Sequence, residues 1–193
     1  MPEDEKLVMS FEPNTIKHLG VQMYSTIPPA LAEMVANSYD ACAKKVFIKL
    51  YDGEEKKIVV KDDGTGMTFH EVNDHFLRIG RNRREEKQVS ACERIPTGKK
   101  GLGKLALFGI GDTIIFQTIK DGEKVIFRMN WDEIQHWRGG SYEPTFSKEA
   151  ALEGEENGTT ITLSDLKRKS GFSAMEYAIS LSKLFNFLGE GFE

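Results

Sequence analysis

The chain has 193 residues, the size of one domain and enough to bury a substantial core. With 39% hydrophobic and 29% charged residues and a formal net charge of −4, it reads as an ordinary globular chain. It lacks the strongly basic footprint of a dedicated nucleic-acid-binding domain, which leaves room only for a local basic patch. The sequence has no apolar run of about 18 residues and no basic, apolar leader at its polar N-terminus, so no membrane partner is expected and a cytoplasmic location is.

In chain order, residues 14–24 are expected to be helical, and Pro28 and Pro29 start a second helix that should run to about Ala43. Lys45 to Tyr51 alternates apolar and polar residues as a strand does, Asp52-Gly53 is a turn signal, and Lys57 to Lys61 returns as the second strand of a hairpin. Residues 69–78 read as a short helix. Residues 80–100 are charged and glycine-punctuated, and read as a long mobile loop, of the length that is usually functional or disordered. A helix is expected over Gly101 to Ile110. A hairpin follows, with Thr113 to Ile119 and Lys124 to Met129 joined around Asp121-Gly122. Residues 132–156 look irregular, Gly158 to Leu163 reads as a strand, and residues 172–188 as an amphipathic helix. Helices interleaved with hairpins predict an α+β fold, a two-layer sandwich with a mostly antiparallel sheet covered by helices on one face. Two cysteines, Cys42 and Cys92, are too few for a disulfide scaffold and are expected as reduced thiols.

Three segments carry chemistry. On the second helix, Glu33, Asn37, Asp40 and Ala41 fall at i, i+4, i+7 and i+8 and share one face, beside the ordinary core stripe of Leu31, Met34 and Val35. Polar groups are costly to bury, so alone such a stripe reads as a solvated helix face; here it stands in addition to the core stripe, which favours a site over that reading. Asp62-Asp63-Gly64-Thr65-Gly66-Met67 follows a strand. A surface turn needs one glycine, and a second at spacing two points to a close approach to the backbone. Gly98-Lys99-Lys100-Gly101-Leu102-Gly103-Lys104 precedes an apolar helix and offers backbone N–H groups and lysines to a polyphosphate.

Two familiar motifs are rejected for the last segment. Gly98 to Lys104 fits the start of a P-loop, but Leu105 stands where that loop needs Ser or Thr, and no strand precedes it. Gly101 to Ala106 fits the dinucleotide fingerprint, again without the preceding strand.

Glu33, Asn37-Ser38, Asp40-Ala41, then Asp62, Gly64 and Gly66, then Gly98 to Gly103, then Gly158-Thr159 occur in that order over roughly residues 14–165. This succession resembles the four-motif signature of the GHKL ATPases, which adopt the Bergerat fold and include histidine kinases, gyrase B, the heat-shock chaperones and MutL. Within that superfamily, Phe11 to Ala41 and the stretch from Gly98 look most similar to MORC-like and chaperone-like bacterial members.

The resemblance implies an ATPase using ATP and Mg²⁺. By similarity, Glu33 is the general base, Asn37 the Mg²⁺ ligand, and Asp40 a supporting polar residue of the site. Asp62 accepts the adenine amino hydrogen, Gly64, Gly66 and Met67 shape the purine pocket, and Thr159 lies near Asp62. Lys100, Gly101, Leu102, Gly103 and Lys104 meet the phosphates. Residues 80–100 are then an ATP lid, and Arg78, Arg81, Arg83 and Arg84 its solvated face. Residues 1–14 form a strap across an ATP-dependent homodimer. The resemblance also implies that residues 1–193 are one domain of a longer protein, and that any nucleic acid is met only through its other domains. A histidine-kinase catalytic domain and a non-hydrolysing nucleotide switch are the competing readings. The first usually has an NAxKY box where this chain has Asn37-Ser38-Tyr39-Asp40-Ala41. His18, His70, His75 and His136 show no metal-ligand spacing, and Trp131 and Trp137 read as packing residues.

Overall fold

A computed structural model describes residues 26–78, 92, 94, 107–137, 141–185 and 192. The expected helix over 14–24, the strap over 1–14, Gly98 to Lys104, and the 80–100 loop apart from Cys92 and Arg94 lie outside the described residues.

Helix α1 (Ile27–Asp40) follows extended Thr26, with proline in its first turn. It buries Ile27, Ala30, Leu31, Met34, Val35 and Ser38. The helix was expected to reach Ala43 and stops three residues earlier. Cys42 adopts φ 63°, its N–H donates to Tyr39 O at 3.0 Å, and the Ala43 N–H donates to Ser38 O at 3.0 Å. These two bonds form a Schellman closure, with cysteine where glycine usually stands.

Strands β1 (Val46–Tyr51) and β2 (Lys57–Asp62) form the first hairpin, with Tyr51 opposite Lys57. Short helix α2 (Phe69–Glu71) carries a Thr68–Glu71 capping box and continues as a wider turn through Leu77. A single tight turn at Leu107–Gly109 is all that is described of the helix expected over Gly101 to Ile110. Strands β3 (Gly111–Lys120) and β4 (Glu123–Asn130) make the second hairpin, and β6 (Gly158–Leu166) and α4 (Ala174–Leu184) are the last elements among the described residues.

The stretch 132–156, expected to be irregular, contains helix α3 (Trp131–His136) and strand β5 (Thr145–Ala150). Asn130 caps α3 by accepting from the N–H groups of Asp132 and Glu133. Edge strand β5 is almost wholly exposed, so its sequence, Thr-Phe-Ser-Lys-Glu-Ala, carries little apolar alternation.

The sheet order is β1-β2-β6-β3-β4-β5, and every described pairing is antiparallel. One face of the sheet, with Ile58, Val60, Ile114, Phe116, Phe127 and Leu163, packs into a single core with α1, α2 and Tyr177 of α4. The α+β two-layer expectation holds. The order sets β2 beside β6 across a long excursion of sequence, and brings the end of β2 next to the start of β6.

The reduced-thiol expectation is corrected: Cys42 and Cys92 form a disulfide with Cα atoms 5.8 Å apart, a normal span for the bond. Arg94 holds the same junction. Its guanidinium donates to Tyr39 O at 3.1 Å and Ala43 O at 2.7 Å, and lies 4.5 Å from the Tyr39 ring centroid. Two cysteines cannot build a scaffold, yet they suffice for one cross-link. A separation of 50 residues leaves no local sign of it.

Candidate functional site

The C-terminal end of α1 and the Asp62 loop meet at one corner of the sheet, through Ser38 and Ala41. Asp62 is the last residue of β2, only 8% exposed, and opposite Thr159 at the start of β6. Its Oδ1 accepts from the Gly64 N–H at 3.0 Å and the Thr159 N–H at 3.1 Å, while its Oδ2 accepts from the Ser38 hydroxyl at 2.8 Å. Burial raises the Asp62 carboxyl above its ordinary value, and the bonds from Ser38, Gly64 and Thr159 pull it partway back. A buried carboxylate this well fixed is an oriented acceptor with its position set before any ligand arrives.

The loop after Asp62 is locked from both sides. Asp63 accepts through Oδ1 from the N–H groups of Lys44 and Lys45 at 2.7 and 2.8 Å, and the Thr65 N–H donates to Ala41 O at 2.8 Å. The Met67 N–H donates to Thr118 Oγ1 at 2.8 Å. Gly66 has φ 64°, and a Cβ there would collide with Ile119 O. Gly158 has φ 151°, and a Cβ there would collide with Asp62 O. At Gly64 a Cβ would stand 2.7 Å from Ala41 O, so the Gly64–Gly66 signal reflects close backbone approach, although the neighbours are the end of α1 and strand β3 of the protein itself.

Glu33 and Asp40 are half-buried and Asn37 is exposed, all on α1, whose C-terminal end joins the Asp62 loop through Ser38 and Ala41. Gly64 and Gly66 are buried, Met67 is half-buried and Thr159 is buried. Lys100, Gly101, Leu102, Gly103 and Lys104 lie outside the described residues. Two contributors carry no role in the sequence reading. Ser38 sits between Asn37 and Asp40 in the helix signature, is only 3% exposed, and its hydroxyl reaches Asp62 Oδ2 at 2.8 Å and Met34 O at 3.1 Å. Thr118 on β3 braces the loop from below, accepting from Met67 and donating to Gly158 O at 3.3 Å. No simple sequence signal marks it.

Residues 24–159 match the sequence pattern described as "Histidine kinase-, DNA gyrase B-, and HSP90-like ATPase". The chain belongs to this family. The match begins just before α1 and ends at Thr159, so it encloses the whole corner described above. Family membership supports ATP binding.

Relatives extend the comparison. The chain is 33% identical over 189 residues to a putative type II restriction enzyme, HgiDII, of Herpetosiphon aurantiacus, covering 96% of this chain and 30% of that protein. It is 29% identical over 150 residues to the chaperone protein HtpG of Anaplasma marginale, covering 65% of this chain and 23% of that one. It is 26% identical over 175 residues to HtpG of Shigella dysenteriae, covering 79% of this chain and 27% of that one. The chain thus spans less than a third of these relatives. Among the described residues no helix is long and apolar enough to cross a membrane.

Proposed function

We propose that this chain binds ATP with Mg²⁺ and hydrolyses it, and that nucleotide binding drives its homodimerisation. The observation that carries the reading is the Asp62 carboxylate, buried and held by the Gly64 and Thr159 N–H groups and the Ser38 hydroxyl. An acceptor fixed there suits the exocyclic amine of adenine and opposes guanine, whose O6 is itself an acceptor. Gly64, Gly66, Met67 and Thr159 frame the purine around it, and Asp40 supports the site from α1.

Phosphoryl transfer to water needs positioning, a cation and a base. Glu33, one helical turn before Asn37, takes the proton of the attacking water. Asn37 is exposed and presents an amide oxygen of the hard type that Mg²⁺ accepts, with phosphate oxygens and water completing its shell. Mg²⁺, when bound, neutralises charge on the phosphate oxygens. Lys100, Gly101, Leu102, Gly103 and Lys104 hold the phosphates through amides and ammonium groups, and residues 80–100 cover them.

The reading takes the cytoplasm, where ATP is held, as its compartment. Disulfides are rare there, so the Cys42–Cys92 bridge would be open to reduction. The longer relatives suggest a module that works with further domains. Phosphate release and light scattering with ATP, ADP and a non-hydrolysable analogue test the proposal. It expects turnover with ATP and a doubled mass with the analogue. Binding without turnover would favour the nucleotide switch, and an unchanged mass would remove the dimer.

A further inference from the structure

The sheet has two faces, and the second is not covered by the core. Strand alternation puts Phe47, Lys49 and Tyr51 of β1 and Lys57, Val59 and Lys61 of β2 on that outer face. Phe47 is 56% and Tyr51 43% exposed. Phe47 lies opposite Lys61 and Tyr51 opposite Lys57, and the Lys57 ammonium sits 4.8 Å from the Tyr51 ring centroid. The next strand continues the face with Thr160 and Thr162, the partners of Lys61 and Val59. The strip therefore repeats one unit twice, a ring beside a lysine, at a spacing of about 13 Å along the strand. None of the strand residues on this face of β1, β2 or the Thr160–Thr162 stretch is a carboxylate, although Glu155, from the loop before β6, lies near enough to Lys61 to feel its charge.

We propose that this strip binds single-stranded nucleic acid. Lysines alone would be explained by protection of an edge strand. Exposed rings do not serve that purpose, and here they are not scattered singly but recur beside lysines along one strand face. Rings alternating with cations on an open sheet match a strand whose bases stack and whose phosphates pair. A peptide added to the β1 edge would use its backbone groups and leave the ring–lysine units idle. A duplex hides the base faces that the rings would meet. The whole chain carries net −4, so the attraction is local, and binding falls steeply with salt. The inference concerns the face opposite the Asp62 corner and does not rest on the nucleotide reading. It gives this domain its own route to nucleic acid, where the sequence expectation allowed one only through other domains.

The test is fluorescence anisotropy of a labelled short oligothymidylate titrated with the whole chain from low to physiological salt. The proposal expects saturable binding. Phe47→Ala and Tyr51→Ala each weaken it by about fivefold or more. Replacing Lys49, Lys57 and Lys61 together by Gln lowers the salt slope by about two. A matched duplex binds more weakly. If Phe47→Ala fails to fold, Phe47→Leu keeps the apolar bulk without the ring and should show the same loss. The proposal is overturned by no binding at low salt, or by equal binding of the duplex with the ring variants unaffected. It is equally overturned if polyglutamate displaces the oligonucleotide charge for charge. Concentration-dependent dimerisation that Phe47→Ala abolishes would make the strip a contact between copies of the chain and also overturn it.

Discussion

The Ser38 hydroxyl donates to Asp62 Oδ2 at 2.8 Å, across 24 residues of sequence, and joins the helix that carries Glu33 and Asn37 to the sheet corner that carries the carboxylate. Both partners are buried. Ser38→Ala leaves one carboxylate oxygen without its donor and should cost about 1–3 kcal/mol of unfolding free energy in urea. A loss below about 0.5 kcal/mol would mean that Gly64 and Thr159 alone satisfy the group.

Asp62 should also set a pH dependence. Its carboxyl is raised by burial, so the folded value lies above the unfolded value of about 3.8. The sign follows from proton linkage. Between those two values the folded chain binds more protons than the unfolded one, so the contribution of Asp62 to stability is full below the unfolded value and is lost as pH rises through the folded one. Nucleotide affinity should run the other way. The ionised carboxylate is the better acceptor for an amine, so affinity should fall as pH drops through the raised value. Asp62→Asn should abolish that step in calorimetric affinities measured across acid pH. Parallel profiles for the two proteins would contradict the assignment.

Glu33→Gln should keep analogue binding while lowering turnover by about 10²–10⁴-fold, the usual worth of a general base. Steady-state phosphate release, with affinity measured alongside, separates the two effects. Unchanged turnover would remove Glu33 from the chemistry.

The disulfide closes a long loop of chain, with its cysteines 50 residues apart. In the chain-entropy account such a loop stabilises by about 4 kcal/mol, and the usual range is about 2–4 kcal/mol. Reduction, or Cys92→Ser, should lower the free energy of unfolding by that order. An identical denaturation midpoint with and without reductant would show that the bridge does not form in solution.

Much of this was legible in the sequence because it is local. Alternation marked β1 to β4 and β6 to within about three residues, and Asp-Gly turns marked both hairpins. The Asp62 corner was legible as a motif, and its burial explains why a carboxylate ends that strand. The misses share a non-local cause. Ser38 matters because of a contact 24 residues away, Thr118 because β3 lies under the Met67 loop, and Cys42 because Cys92 reaches it. Strand β5 was hidden because an exposed edge strand needs no apolar alternation, and α1 ends early through a left-handed cysteine that no helix propensity foretells.

The central claim is that the Asp62 corner receives the adenine of ATP. Calorimetric titration of the chain and of Asp62→Ala with a non-hydrolysable ATP analogue, with and without Mg²⁺, tests it most directly. The account predicts one site per chain, tighter with Mg²⁺, and weakened by about 5–150-fold in Asp62→Ala, the worth of about 1–3 kcal/mol. Equal affinity in a folded Asp62→Ala protein, or no heat from the parent chain at millimolar analogue, would contradict it.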